Sequence, residues 1–351
     1  MGRRLLPIVL VSLGVVILAR ALLPGYVERR LNAAFADLDG HTGHVEDLDL
    51  ALWKGAVRLE AVTIDRDEAG TRKPLLRADA VALRVRWREL LRGALVGELD
   101  LHRPRYFLEA APPAAPDDDV RSGTRIDWGG LADLAPFQIT RFEVHGGELA
   151  YHDPHAEPPV SIALRQIRIF ARDWGNRPGG GAARPAYARA SARAFRSAGV
   201  FAELDADPLA PHPDFALRLR SEGIELAELN EFLRAYAGLD VAAGRLDVFF
   251  EVAAADGAFE GYLKPLVRDL DVSSPADASD SWTDRLWEAA AGGVAELFEN
   301  QPEDQQGSRI PLEGRFSDPD LDLVGAIGSL LRNAFIEALP AQLEGAGRGQ
   351  G

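Results

Sequence analysis

The chain has 351 residues and a mass of 38.0 kDa, with 54 acidic against 39 basic side chains, a formal charge of -15 and no cysteine. The missing cysteine excludes disulfides, zinc-thiolate sites, iron-sulfur clusters and thiol nucleophiles, and the acidic balance opposes a phosphate-backbone partner. This length exceeds what one ordinary hydrophobic core needs and predicts either two domains or one elongated, sheet-based body.

Leu5 to Leu23 carries no charge but Arg20, and as a helix at about 1.5 Å per residue it just spans a bilayer. Arg20 falls near the far end, where its stem can snorkel to the headgroups, and Pro7 lies in the first turn, where a missing N–H is tolerated. Residues 1–24 therefore read as a transmembrane signal anchor. The rival is a cleaved signal peptide, since Ala19, Arg20 and Ala21 form a loose small-x-small site, although arginine beside the scissile bond suits cleavage poorly. A buried soluble helix is a third reading. Charge does not orient the anchor, because Arg3 and Arg4 on one side face Arg29 and Arg30 on the other. Tyr26 to Leu38 continues as an amphipathic helix, with Val27, Leu31, Ala34, Phe35 and Leu38 on one stripe.

From Val45 onward the hydrophobic period changes to 2, the mark of half-buried strands. Val57 and Leu59 alternate with Arg58 and Glu60, and the apolar face reappears at Val62 and Ile64 after a slip that reads as a bulge. Further strands are expected around 81–87, 95–101, 105–109, 138–145, 147–152, 160–170, 186–195, 199–206, 214–221, 245–253, 258–264 and 309–316. His145 to Gly147 and Ala255 to Gly257 read as hairpin turns, and consecutive antiparallel pairing is the economical topology. Ala186, Ala188, Ala190, Ala192 and Ala194 fall on one face of their strand. Such a row leaves room for an acyl chain in an open groove, or for close helix packing in a closed core.

Three segments poor in apolar residues divide this body: 112–123, 174–185 and a Ser/Asp linker at 273–281. The predicted organisation is an anchor over 1–24, a β body over 25–272, the linker, carboxy-terminal helices over 282–340 with one intervening strand, and a disordered tail over 341–351. A short helix is expected over 226–237, with Leu226, Leu229, Phe232, Leu233 and Tyr236 on one stripe. Two longer helices are expected over 282–299 and 322–339, and the second carries Val324, Ile327, Leu330, Leu331, Ala334, Phe335 and Leu339 as an apolar stripe that closes one end of the sheet.

Enzyme motifs are absent: there is no G-x-S-x-G elbow, no H-E-x-x-H, no Walker lysine after Gly179 to Gly181 and no dinucleotide fingerprint. Two histidine groups invite a metal reading, His41 and His44 with Glu46 and Asp47, and His152, Asp153 and His155 with Glu157. Both sit in loop-like segments where polar residues are expected anyway. No metal, cofactor or catalytic residue is therefore predicted.

The segments LPGYVERRLNAAFADL, LDLALWKGAVRLEAVTI, VRWRELLRGALVGELDLHRPRYFLEA, FQITRFEVHGGELAYHD, LNEFLRAYAGLDV, GYLKPLVRDLDV, ELFENQPEDQ, RIPLEGRFSDPD and SLLRNAF together resemble the AsmA-like superfamily, in its branch of short proteins carrying a domain of unknown function. The resemblance runs from about Pro24 to Phe335 and lapses around 112–123 and 174–185. It implies a single-pass inner-membrane protein of a Gram-negative envelope with its body in the periplasm. It also implies a trough of antiparallel strands with an apolar interior that carries phospholipid, and it brings no catalytic residues.

The fold class expected is thus mainly β with helices: a transmembrane helix, then an elongated, curved antiparallel sheet with short helices and carboxy-terminal capping helices. Fourteen strands about 4.8 Å apart would give a trough of roughly 65–70 Å, shorter than the longest relatives need to span an envelope. The residues expected to line the groove are Leu50, Leu52, Val57, Leu59, Leu83, Val85, Leu99, Leu101, Ile162, Leu164, Leu217, Leu219, Val248 and Phe250, whose other role is ordinary core. The expected function is lipid binding or transfer, with a phospholipid or other acyl lipid as ligand. A different class of function is an assembly factor that pairs its sheet edges with envelope proteins or with itself, and a third is a metal-dependent hydrolase on His152, Asp153 and His155.

Overall fold

The computed structural model describes residues 25–26, 29–30, 32–33, 40–68, 71–110, 137–175, 185–196, 198–237, 241–272, 309–316 and 323–332. The expected anchor, the linker at 273–281, the helix at 282–299 and the tail at 341–351 lie outside these residues. So do Val27, Leu31, Ala34, Phe35 and Leu38 of the first amphipathic helix. No helix among the described residues is long and apolar enough to cross a membrane.

The protein is mainly β. Its strands are β1 (His41–His44), β2 (Asp47–Ala51), β3 (Ala56–Glu68), β4 (Thr71–Val85), β5 (Leu95–His102), β6 (Arg105–Glu109), β7 (Phe137–Asp153) and β8 (Val160–Arg172). They continue with β9 (Trp174–Gly175), β10 (Ala186–Ala194), β11 (Ala198–Asp207), β12 (Asp214–Glu225), β13 (Val241–Ala255), β14 (Ala258–Val272) and β15 (Ile310–Arg315). All belong to one sheet in the order β1-β3-β4-β5-β7-β8-β10-β11-β12-β13-β14-β15, with β2 beside β3, β6 beside β4 and β7, and β9 beside β7. Among the described residues, 25–26, 29–30 and 32–33 are helical, the helices with both ends described are α1 (Trp87–Leu90), α2 (Asn230–Ala237) and α3 (Leu323–Arg332), and 3₁₀ turns occupy Leu52–Lys54 and Leu226–Leu229.

Purely antiparallel pairing does not hold. β5 and β6 run parallel to β7, with Leu95 opposite Phe137 and Arg105 opposite Glu148. The 27 residues, 110–136, that separate β6 from β7 are enough for the return crossover that parallel neighbours require. Side chains alternate identically in parallel and antiparallel strands, so the hydrophobic pattern was silent on direction. His145 to Gly147 is not a hairpin turn either. β7 runs straight through it, and the register slips on both sides of Gly147 while Gly146 takes a φ of 70°, a bulge rather than a reversal. Because β2, β6 and β9 share positions with longer strands, the path across the sheet has twelve strands, about 53 Å wide at ~4.8 Å per gap. That is narrower than fourteen separate strands would give.

Other expectations hold in detail. Asp256 and Gly257 form the two-residue turn of the β13–β14 hairpin with φ of 52° and 73°, the left-handed pair that matches strand twist. Ala61 takes a φ of 49°, and Leu59 and Val62 on either side of it both pack with Val45, Ala78 and Val81. The register itself slips a few residues on, between Ile64 and Asp65. Trp174 and Gly175, expected to open a loop, instead form β9 against Ile139 and Gln138.

Two asparagines act as matching staples at the starts of strand segments. Asn32 donates from Nδ2 to the Val45 carbonyl at 3.1 Å and accepts the Val45 N–H at 2.8 Å. Asn230, opening α2, does the same to Val241 at 2.9 and 3.0 Å. Each amide side chain thereby satisfies both backbone groups of one residue, Val45 between β1 and β2 and Val241 at the start of β13. A third polar anchor is Asp247, which accepts the Gly223 N–H at 2.8 Å and pairs with Arg268, pinning the bulge where the β12–β13 register slips.

Candidate functional site

Directly opposed residues of neighbouring strands share a face, so the register decides which side chains converge. Leu50 pairs with Val57, Val57 with Leu83, Leu83 with Leu99, and Val85 with Gly97. Leu99 and Leu101 lie beside Phe142 and Val144, which lie beside Ala171 and Ile169. The same face continues through Ala188 and Ala190 to Leu204 and Ala202, then to Leu217 and Leu219, then to Val252 and Phe250. Leu164 joins it opposite Ala194, with Ile162 two residues away, and Val248 joins opposite Ser221. Leu52 falls in a 3₁₀ turn rather than a strand, and its side chain is outside the described residues. The other thirteen expected residues occupy one apolar face of one sheet.

That face has two regimes. At the carboxy-terminal end Leu217, Val248, Phe250, Val252, Leu263 and Ile310 are buried, and Leu226, Ala326 and Leu330 from the helical elements close over them. Leu229 and Leu233 of the 226–237 stripe and Ile327 and Leu331 of α3 pack on the same cluster. This part is filled core. From β3 to β10 the face is less deeply covered: Val57, Leu59, Leu83, Val85, Leu99, Leu101, Ile162 and Leu164 are half-buried, although Val144 and Ala171 beside them are buried. Leu164 packs on the carboxy-terminal cluster and Leu59 on a small cluster of Val45, Val62 and Ala78, whereas Val57, Leu83, Val85, Leu99, Leu101 and Ile162 belong to neither. Ala188, Ala190 and Ala192 form a shallow floor in between, half-buried, while Ala186 and Ala194 at the strand ends are buried.

One polar atom intrudes on the filled end. Ser221 stands between Val200 and Val248, is 6 % exposed, and its hydroxyl has no hydrogen-bond partner among the described residues. Ser221→Ala is therefore expected to raise the unfolding free energy by about 1 kcal/mol, because it removes a desolvated donor without removing a bond. Urea denaturation of the two proteins checks this, and a destabilised variant would mean the hydroxyl is satisfied.

The opposite face is charged and aromatic. A depression of about 780 Å³ lies there, lined among others by Glu143, Arg168, Arg189, Glu203, Arg218 and Arg220. Arg189 stacks over Phe170 at 5.3 Å and Arg220 over Phe201 at 4.8 Å. Near the far strands, burial and then a hydrogen bond to Glu251 push the Tyr262 phenol above its ordinary value. Alternating guanidinium and carboxylate groups make this depression a poor host for an acyl chain.

Neither histidine group of the sequence gathers as a metal cage. Asp153 is buried and spends Oδ1 on the backbone N–H groups of His155 and Ala156 at 2.9 and 3.2 Å, while His152 Nδ1 lies 3.0 Å from Ser161 Oγ. The parallel β5–β7 register instead sets Asp100 beside Glu143 and His102 beside His145, the rings stacked at 5.1 Å. Donor atoms of Asp100, Glu143 and His145 lie within 4.8 Å of one another. Glu143 is already engaged there, by Arg141 at 2.6 Å and His145 at 3.1 Å, and its hydrogen bond holds the Arg141 guanidinium above its ordinary value. The sequence could not expose this group, because its halves lie about forty residues apart and meet only through the parallel pairing. No protein-family model matches this chain, and no curated protein matches it either.

Proposed function

We propose that this chain is a lipid-binding or lipid-transfer protein of the AsmA-like type, held at an inner membrane by residues 1–24 with its body in the periplasm. In this reading the sheet curves into a trough whose half-buried apolar face, from β3 to β10, holds acyl chains, and α2 and α3 cap its carboxy-terminal end. The observation that carries it is the contrast along one face: thirteen lining residues share a side of the sheet, the end under α2 and α3 is a large filled core and a small cluster of Val45, Val62 and Ala78 fills the other end, while Val57, Leu83, Val85, Leu99, Leu101 and Ile162 between them stay half-buried. An uncovered row of Val and Leu side chains leaves apolar surface in water, and each methylene of a bound chain that covers it contributes about 0.8 kcal/mol. Alanine at the centre of the row leaves depth for such a chain.

Lipid extraction and native mass spectrometry of the purified full chain test this reading. Co-purifying phospholipid, or saturable uptake of added phospholipid, is the expected result. A protein that carries no lipid and takes none up overturns the proposal. In that event the assembly reading gains, for which the relevant surface among the described residues is the outer side of β14 from Pro265 on, past the last residue that β15 pairs with. Cross-linking that captures envelope proteins and never lipid would then be its signature.

A further inference from the structure

Eight large hydrophobic side chains are exposed among the described residues, and five of them, Trp53, Trp87, Leu90, Leu91 and Leu95, crowd one end of the β3–β4–β5 region. Trp53 sits in the 3₁₀ turn before β3, Trp87 and Leu90 belong to α1, and Leu91 and Leu95 lead from α1 into β5. Short backbone bonds knit these turns together: Val85 N–H donates to the Gly55 carbonyl at 2.7 Å, and Arg86 N–H to the Val96 carbonyl at 2.8 Å. A Cβ on Gly55 would lie 3.2 Å from Trp87 Nε1, so the two tryptophan-bearing turns abut. Leu91 is 85 % exposed and Trp53 66 %. Scattered apolar residues on a surface need no explanation, but five large ones on one protruding tip do.

The charge around them identifies what covers them. Lys54, Arg86, Arg88 and Arg92 are all exposed there, and Glu89, the one acid of these turns, is 3.2 Å from Arg92. In a chain of net charge -15, this tip is locally positive. A second copy docked symmetrically on it would set four bases against four, which is repulsive. Tryptophan and leucine ringed by arginine and lysine match an anionic bilayer surface, with rings at headgroup level, leucines at the acyl boundary and bases on phosphate.

We propose that this tip docks on an anionic phospholipid bilayer, as a membrane contact separate from the amino-terminal segment. Val57, Leu83, Val85 and Leu99 stand directly behind it on the open apolar face, so docking places the end of that face at the lipid. That consequence rests on the lipid-carrier reading, whereas the docking does not.

The cysteine-free sequence makes Leu91→Cys a single labelling site for an environment-sensitive fluorophore, with Phe201→Cys, also exposed, as the control. The labelled full chain is held in nanodiscs and mixed with phosphatidylcholine–phosphatidylglycerol vesicles, with quenching spin-labelled lipid placed first in the discs and then in the vesicles. The expected result is a blue shift and quenching at position 91 from one of the two bilayers, with position 201 unaffected. Arg88→Glu combined with Arg92→Glu should weaken the effect by about tenfold or more, as should replacing phosphatidylglycerol with phosphatidylcholine. A probe at 91 that stays as water-exposed as the one at 201 in both arrangements overturns the proposal. So does a blue shift that grows with protein concentration in detergent without quenching lipid, which would assign the tip to a second copy. Lipid extraction from the doubly substituted chain keeps the two readings apart: retained lipid with lost docking separates tip from groove, and absent lipid with intact docking leaves the tip standing while the carrier reading fails.

Discussion

Val248→Asp is expected to lower the unfolding free energy by more than about 4 kcal/mol, enough to leave much of the protein unfolded at ambient temperature. Val248 is 4 % exposed, lies between Ser221 and Pro265 in the sheet, and belongs to the cluster closed by Leu226, Ala326 and Leu330. A carboxylate there meets no cation among these neighbours and has no route to water. Leu83→Asp makes a useful counterpart on the same face. Leu83 is half-buried between Val57 and Leu99, so its aspartate can reach solvent and the expected cost is only about 1–2 kcal/mol. The two variants should therefore separate: Val248→Asp loses its cooperative thermal transition, whereas Leu83→Asp keeps a transition but takes up less lipid. Equal melting temperatures for the two would show that the face is not divided into a filled and an open part.

Gly261→Ala is the second large effect, expected to cost about 3 kcal/mol and to lower the melting temperature by several degrees. Gly261 pairs with Val252 on one side and Leu312 on the other, in the middle of the β13–β14–β15 ladder. A Cβ added there would fall 2.1 Å from the Glu251 carbonyl oxygen and 2.7 Å from the Val252 Cα. Both are backbone atoms, so no side chain can swing aside and the strands themselves must part. The consequence extends beyond one position, since β15 contributes Ile310 and Leu312 to the cluster under α3. Circular dichroism melts of the two proteins decide it, and an unchanged transition would mean that the two strands are held further apart than this ladder allows.

The alternation of side chains by itself determined most of what is simple about this protein. Period 2 from Val57 to Phe250 assigned each apolar residue to a face, because adjacent side chains of a strand point oppositely whatever the strand pairs with. Asp256 and Gly257 specified their own hairpin through local backbone preference, and the stripe of Leu226, Leu229 and Leu233 specified its helical segment in the same way. Pairing was beyond its reach. The parallel junction of β5 and β6 with β7 depends on where residues 111–136 return the chain, and nothing in Leu95 to Glu109 encodes that return. His145 to Gly147 carried turn-forming residues, yet Leu149 and Tyr151 beyond it stay beside β6 and β8 in the same strand, and the ladder on both sides outweighs local turn preference. Whether an apolar residue becomes core or open floor also depends on what lies above it. Leu83 and Val248 read alike in sequence, and only the placement of α2 and α3 distinguishes them. The tip formed by Trp53, Trp87 and Leu91 needed the tertiary structure for the same reason, because three short turns up to about forty residues apart become one surface only when β3, β4 and β5 pair.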